Sequence, residues 1–280
     1  MLRRLLFVFA LILVLVVAGE MSQRIAFADE ARPAGHSPLM LNDPNPPVMY
    51  MVSQAFSSSI ATTHCPKNYN VVMGGFLGTD KLNVYFNTKV KNGWRVKAKP
   101  DGGSPGSLSA SAVCVNSAVP ITYQQSDFLL APRTKGGAEL YCKDTGQAAF
   151  GVGYKVNIEG GRIFESEPLA DGGWLVDAGN LSAKAMKLTV LISCISTEKV
   201  HRRIKFAEAT VEGKSQKTNS VNCPESYVPM GGGFYLDLPF AQWLVATSPY
   251  RLAWRTVAQN NELFPYYSIT YAVCGHFTGD

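Results

Sequence analysis

The chain has 280 residues, of which 46 % are apolar and only 17 % are charged. That length and composition suffice for a substantial buried core and exclude an intrinsically disordered chain. The formal net charge is +5, and the basic residues are spread along the sequence instead of forming one dense stripe. We therefore expect no nucleic-acid partner, because surfaces that track a phosphate backbone are strongly basic.

The N-terminal segment has the pattern of a secretory signal peptide. Arg3 and Arg4 precede an apolar run from Leu5 to Ala18, and Ala26-Phe27-Ala28 offers small residues at the spacing that signal peptidase accepts. The apolar run has 14 residues, which is short of the roughly 20 that a membrane-spanning helix needs. We predict a signal peptide over residues 1–28 and no membrane span after its cleavage, with a retained anchor as the alternative.

Residues 29–47 form the next segment, which is rich in Pro, Asn, Asp and small residues. It shows no period of 2 or 3.6, so we expect an exposed, flexible leader. Folding is expected to begin near Val48.

The sequence after the leader repeats at an interval of 80 residues. Three tryptophans have that spacing: Trp94, Trp174 and Trp254. A cysteine follows each of them by 20 residues: Cys114, Cys194 and Cys274. Self-similarity of this length indicates a repeat architecture. We divide the chain into β-repeats over residues 48–118, 119–198 and 199–280.

Each repeat also contains an earlier cysteine and a glycine-rich run. Cys65-Pro66 precedes Met73-Gly74-Gly75-Phe76, and Cys223-Pro224 precedes three consecutive glycines, whereas the middle repeat has Lys143 after Cys142. The glycine-rich strand is followed by a short turn, which contains Ser166-Glu167-Pro168 or Ser248-Pro249 in two repeats, and then by the Trp-bearing strand and a closing strand. The runs Phe128-Leu129-Leu130 and Lys205-Phe206-Ala207 predict one further strand before the first cysteine of a repeat.

The symmetry of the repeats predicts the disulfides. Six cysteines allow 15 pairings, and the pairing within repeats is the most economical in a secreted chain. The predicted bonds are Cys65–Cys114, Cys142–Cys194 and Cys223–Cys274. A zinc site would need closely spaced ligands such as Cys-x-x-Cys, which the sequence lacks. We expect no metal and no cofactor.

Alternation of apolar and polar residues, as in Ser268–Cys274, predicts half-buried strands, and no amphipathic helix follows the leader. A clasped unit of about 50 residues buries little surface by itself. We therefore expect an all-β protein whose three repeats share one core in a pseudo-threefold, β-prism-like body. Three tandem small β-sandwich units are the alternative.

The third repeat combines Cys223-Pro224, a Gly-Gly-Gly strand, Trp254 after a turn, and a closing Tyr271-Ala272-Val273-Cys274. This pattern resembles a repeat of many uncharacterised secreted bacterial proteins and is similar to segments near the tips of some pilus-tip adhesins. The resemblance implies an extracellular β module and adhesion. It assigns no functional residue.

Catalytic motifs are absent from the sequence. The four histidines, His36, His64, His201 and His276, lie in no nucleophile, zinc or phosphate-binding motif. Four carboxylates cluster in the sequence around Trp174: Glu165, Glu167, Asp171 and Asp177. A glycosidase needs a carboxylate pair, but a solvated turn explains the same cluster. We expect no enzyme.

Aromatic residues are the better indication of binding, because they supply contact area at small entropic cost. The recurrence of the three repeat tryptophans is typical of a packed core. Trp243 has no counterpart in the other repeats, and the aromatic residues around it form the candidate binding surface: Trp243, Phe240, Tyr250, Tyr266 and Tyr267.

The predicted function is that of a secreted, periplasmic or cell-surface recognition protein, adhesin-like or lectin-like, whose partner is a glycan or a cell-surface protein. A structural component of the cell surface, of a pilus or of an extracellular assembly is the alternative.

Overall fold

The computed structural model describes residues 46–55, 59–78, 82–100, 106–158, 160–238 and 242–278. The predicted signal peptide and nearly all of the predicted leader lie outside these ranges. The described residues form 18 β-strands and no helix, all within one compact unit. Within those ranges there is accordingly no helix of the length and apolarity needed to cross a membrane.

Each repeat contributes six strands. The first repeat contains β1 (Val48–Ala55), β2 (Ile60–His64), β3 (Tyr69–Gly78), β4 (Leu82–Val90), β5 (Gly93–Pro100) and β6 (Leu108–Asn116). The second contains β7 (Ile121–Leu130), β8 (Lys135–Leu140), β9 (Gln147–Val156), β10 (Gly161–Pro168), β11 (Trp174–Asn180) and β12 (Met186–Ser196). The third contains β13 (Val200–Val211), β14 (Gln216–Asn222), β15 (Val228–Leu236), β16 (Gln242–Tyr250), β17 (Ala253–Asn260) and β18 (Tyr266–Phe277).

The strands form three six-stranded sheets, and every sheet combines two repeats. The strand order is β1-β6-β3-β16-β17-β14 in sheet A, β2-β5-β4-β9-β12-β7 in sheet B and β13-β18-β15-β10-β11-β8 in sheet C. The first, sixth and third strands of one repeat thus continue into the fourth, fifth and second strands of another. The exchange is cyclic, so the third repeat completes a sheet with the first.

The two halves of each repeat pack against each other around its tryptophan. Trp94, Trp174 and Trp254 are at most 1 % exposed. Their indole N–H groups donate to a polar side chain of the fourth strand, at 2.7 Å to Asn87, 3.1 Å to Ser166 and 2.9 Å to Thr247. A Cβ at Gly74 or Gly232 would collide with the indole of Trp94 or Trp254. Close packing of the ring on the backbone therefore explains the glycine-rich third strand.

The third strands β3, β9 and β15 meet at the centre of the molecule. Each carries a β-bulge, and the bulged residues Val72, Phe150 and Met230 are at most 1 % exposed. A Cβ at Gly231 would collide with the carbonyl oxygen of Phe150. One hydrophobic cluster runs through all three repeats. The fold is one pseudo-threefold all-β body with a shared core, and separate tandem sandwiches are excluded.

One disulfide lies within each repeat, in the pairs that the repeat symmetry predicts: Cys65–Cys114, Cys142–Cys194 and Cys223–Cys274. Each bond ties the loop before the third strand to the sixth strand. Three disulfides are compatible with an extracellular or otherwise oxidising compartment.

Two details of the predicted repeat are wrong. Two strands, not one, precede the first cysteine of each repeat. The segments Ser166–Pro168 and Ser248-Pro249, predicted as turns, end the fourth strands β10 and β16. Each fourth strand pairs with its neighbouring third strand over only two residue pairs, and the prolines lie beyond them. Proline is tolerated at these positions because a backbone N–H there would have no hydrogen-bond acceptor on the third strand.

Candidate functional site

The five aromatic residues predicted as a binding surface do not come together. Trp243 is 8 % exposed and packs between the fourth strands of the three repeats, with the guanidinium of Arg162 3.8 Å from a ring centroid. Tyr250 lies at the opposite end of β16 and is exposed. Phe240 lies outside the described residues. Of the five, Tyr266 and Tyr267 are adjacent at the start of β18, and Tyr267 is exposed.

Each sheet forms a groove on its outer face, opposite the tryptophan. The third strand pairs with the neighbouring fourth strand over two residue pairs only, and the sheet then bends sharply. A Cβ at Gly75 or Gly233 would collide with the carbonyl oxygen of Thr247 or Ser166, because the fourth strand lies directly on the glycine. We call the outer faces groove A, groove B and groove C after their sheets.

Burial of the side chains reflects this concave shape. Four outer-face residues on the central strands are less than 10 % exposed: Ser109, Thr189, Glu165 and Tyr271. Those on the edge strands are open to solvent, with Val52 48 %, Leu129 80 % and Phe206 62 % exposed. A groove of this kind suits an extended ligand more than a flat partner.

One row of residues crosses each groove in the same register, from a fifth strand through the central pair to a sixth strand. In groove A the row is Val257, Ala246, Leu77 and Ser109. In groove B it is Lys97, Phe86, Lys155 and Thr189. In groove C it is Asp177, Glu165, Tyr235 and Ile269. Taken as a whole, the equivalent rows are thus uncharged in groove A, basic in groove B and acidic in groove C.

Groove C places tyrosines of the third repeat opposite carboxyl groups of the second. The rings of Tyr235 and Tyr267 lie 5.6 Å apart between centroids, and the ring of Tyr271 lies 6.2 Å from that of Phe206. Burial and the nearby carboxylate of Glu167, across the groove, raise the pKa of the Tyr271 hydroxyl. At one end, Nη1 of Arg202 donates to the carbonyl oxygen of Leu169 at 2.9 Å, which also links the two repeats.

The carboxyl groups of groove C share a hydrogen-bond network. Burial, the hydrogen bond with Glu167 and the charge of Asp177 raise the pKa of Glu165 to about 8. Burial likewise raises the pKa of Asp177, which accepts a hydrogen bond from Glu165. Glu165 therefore keeps its proton at neutral pH and shares it with Asp177, so the carboxyl cluster offers acceptor oxygens to a ligand.

This arrangement does not match a glycosidase. The catalytic carboxyl groups of such enzymes stand about 5 Å or more apart with the scissile bond between them. Glu165 instead lies close enough to Glu167 and Asp177 for them to raise its pKa, so the three carboxyl groups form one cluster and not a separated pair. Asp171 lies in the turn after β10, where its carboxylate accepts from the backbone N–H of Gly173. Among the residues that the structure describes, no group of three or more potential ligands could hold a metal ion.

Tyr235, Tyr271 and Phe206 also line groove C, although the binding surface predicted from the sequence did not include them. The alternation of Tyr267, Ile269 and Tyr271 along β18 is a signal that these three share one face of a strand. Their proximity to Glu165 and Glu167 has no local signal, because β15 pairs with a strand of another repeat.

No protein-family model matches the sequence, and no curated protein matches it either.

Proposed function

We propose that the protein is a secreted, non-catalytic recognition protein, lectin-like in its chemistry, that binds a glycan in groove C. The observation that carries the proposal is the pairing of tyrosine rings on one wall with hydrogen-bonding carboxyl groups on the other. A sugar offers an apolar ring face for an aromatic side chain and hydroxyl groups for polar partners. Both kinds of partner are present in groove C, with Tyr267 and Phe206 open to solvent.

Secretion is supported by the signal-peptide pattern of the N-terminus and by the disulfide in every repeat. The resemblance of the repeat to secreted bacterial proteins and to segments of pilus-tip adhesins fits attachment outside the cell. An adhesin would use groove C to hold a glycan of the surface to which the cell attaches.

The test is a glycan array probed with the chain from residue 29 onward, followed by titration of the best ligand. We expect Tyr267→Ala and Phe206→Ala each to weaken binding at least about tenfold, which corresponds to ~1.4 kcal/mol. Tyr267→Phe should retain most of the affinity, because it keeps the ring.

The matched control is Leu263→Ala, since Leu263 is 75 % exposed but lies in the turn before β18, outside groove C. It should bind as tightly as the unmodified protein. Unchanged affinity in both groove variants would contradict the site. An array without ligands, together with sedimentation of the protein in filaments or with the cell envelope, would favour the structural alternative.

A further inference from the structure

Groove B has two cationic side chains in its central row, where Lys97 is equivalent to Asp177 of groove C and Lys155 is equivalent to Tyr235. Lys97 and Lys155 lie on either side of Phe86 in the central row, and the Lys97 ammonium lies 5.1 Å from the centroid of the Phe86 ring. Their strands are two spacings apart, which separates the two Cα atoms by about 10 Å. Arg95 precedes Lys97 by two residues and so lies on the same face of β5.

The described residues around these cations include one carboxylate, Asp127, whose pKa is lowered chiefly by Thr189 and Lys187 and also by the charge of Lys155. Asp127 is an acidic residue of the outer face of this sheet, on the edge strand β7, and it is already bound by Lys187 at 3.2 Å and by Thr189 at 2.6 Å. Among the described residues, no carboxylate lies within salt-bridge distance of Arg95, Lys97 or Lys155. All three side chains are half-buried, so solvent screens their charges less than it would on a convex surface.

The shape and floor of groove B suit a sugar chain. As in groove C, its third and fourth strands pair over two residue pairs only, and the fourth strand lies directly on a glycine, here Gly153 against Thr88. Phe86 and Leu191 provide half-buried apolar contact area between and beside the cations. Three cations are few for a nucleic acid, whose partners neutralise many phosphates. They suit a chain with well-separated single negative charges.

We propose that groove B is a second glycan-binding site, specific for a polysaccharide that carries carboxylate groups. Lys97, Lys155 and Arg95 bind the carboxylates, and Phe86 contacts the face of a sugar ring. The inference extends the proposed glycan-binding function to another groove. It uses none of the residues of groove C, so the two sites can fail separately.

The experiment measures binding of polygalacturonate by calorimetry, with the methyl-esterified polymer as the uncharged probe. We expect the unmodified protein to bind polygalacturonate and not to bind the ester in groove B. If roughly two or more ion pairs form, the affinity for polygalacturonate should fall at least about tenfold between 50 and 200 mM salt. The double variant Lys97→Gln/Lys155→Gln should lose at least about tenfold, ~1.4 kcal/mol.

The matched control is Lys205→Gln/Lys217→Gln, which removes the same charge from exposed positions on β13 and β14, outside sheet B. It should bind polygalacturonate like the unmodified protein. Equal losses of affinity in both double variants would show that only the net charge matters and would overturn the site. Tighter binding of polyphosphate or DNA than of polygalacturonate would overturn it as well.

Tyr267→Ala separates this inference from the proposed function, because it alters groove C alone. It should keep its affinity for polygalacturonate. Thermal melting shows whether Lys97→Gln/Lys155→Gln folds. If it does not, the affinity of Lys155→Gln alone and the comparison of charged with esterified polymer still test whether groove B binds carboxylates. Equal binding of the two polymers by the unmodified protein would overturn the proposal.

Discussion

The inner and outer faces of the sheets obey different constraints. On the inner face, each repeat has a buried tryptophan whose indole N–H binds a side chain of the fourth strand, and the partner is Asn87, Ser166 or Thr247. The residue just before each partner lies on the outer face and is Phe86, Glu165 or Ala246. Packing around the indole restricts the size and the hydrogen-bonding groups of the inner-face side chains in the same way in all repeats. The outer-face side chains line a groove and are free of that restriction. Adjacent residues of one strand thus contribute to the core and to the proposed recognition surface separately.

Substitution of an inner-face tryptophan tests this division with the largest expected effect. Trp174→Ala removes a fully buried ring and leaves Ser166 without its donor, so it should cost about 3–5 kcal/mol in the free energy of unfolding. At about 2–4 °C per kcal/mol for a domain of this size, the melting temperature should fall by about 6–20 °C.

Tyr267→Ala on the outer face is the comparison, and it should change the melting temperature by no more than about 2 °C, since exposed substitutions alter stability by about 0.5 kcal/mol or less. A larger loss of stability from Tyr267→Ala than from Trp174→Ala would break the distinction between the two faces.

The bend that creates the grooves is tested by a smaller change. Gly75→Ala places a Cβ against the carbonyl oxygen of Thr247 and should destabilise the protein by more than about 1 kcal/mol, because backbone must move at the junction of the first and third repeats. Gly136→Ala is the matched strand control. Its Cβ would meet only Leu130 at the ordinary distance of 3.8 Å, so we expect a change within about 0.5 kcal/mol.

Chemical denaturation measures both variants, and limited proteolysis of Gly75→Ala should show earlier cleavage near the junction. Equal stability of the two variants would mean that the fourth strand has room to move away from Gly75.

A further prediction concerns the pH dependence of stability and the carboxyl groups of groove C. The pKa of Glu165 is about 8 in the folded protein against an ordinary value of 4.5, so the folded state retains a proton that the unfolded state has lost. The contribution of Glu165 to the free energy of unfolding should therefore be most favourable below about pH 4.5. It should decline as the pH rises and level off above about pH 8.

Glu165→Gln removes this titration while keeping the side-chain shape. The variant should match the unmodified protein near pH 4.5 and exceed its melting temperature at pH 9. Parallel stability curves for the two proteins between pH 5 and pH 9 would exclude a retained proton on Glu165.

Several features of the molecule depend on residues within one repeat, and these were accessible from the sequence. The 80-residue register located the three core tryptophans and the disulfide partners, and alternation located strands such as that over Ser268–Cys274, whereas the fourth strands were not predicted. Trp243 shows where such reasoning fails. Its absence from the other repeats suggested a surface role, but Arg162 and the fourth strands of all three repeats enclose it. A residue without repeat equivalents can still be buried where the repeats meet.

The sequence by itself determined the number of repeats, the all-β class, the disulfide pairs and the buried tryptophan of each repeat, because periodicity and spacing report on contacts that recur within a unit. Only the tertiary structure decided which repeats share a sheet, and therefore which side chains face each other in the grooves. Glu165 and Tyr235 are paired although they belong to different repeats. Backbone hydrogen bonds between strands are the same for any side chain, so no local pattern specifies that β10 pairs with β15. Burial of the shared core around β3, β9 and β15 makes that choice, and the chemistry of each groove follows from it.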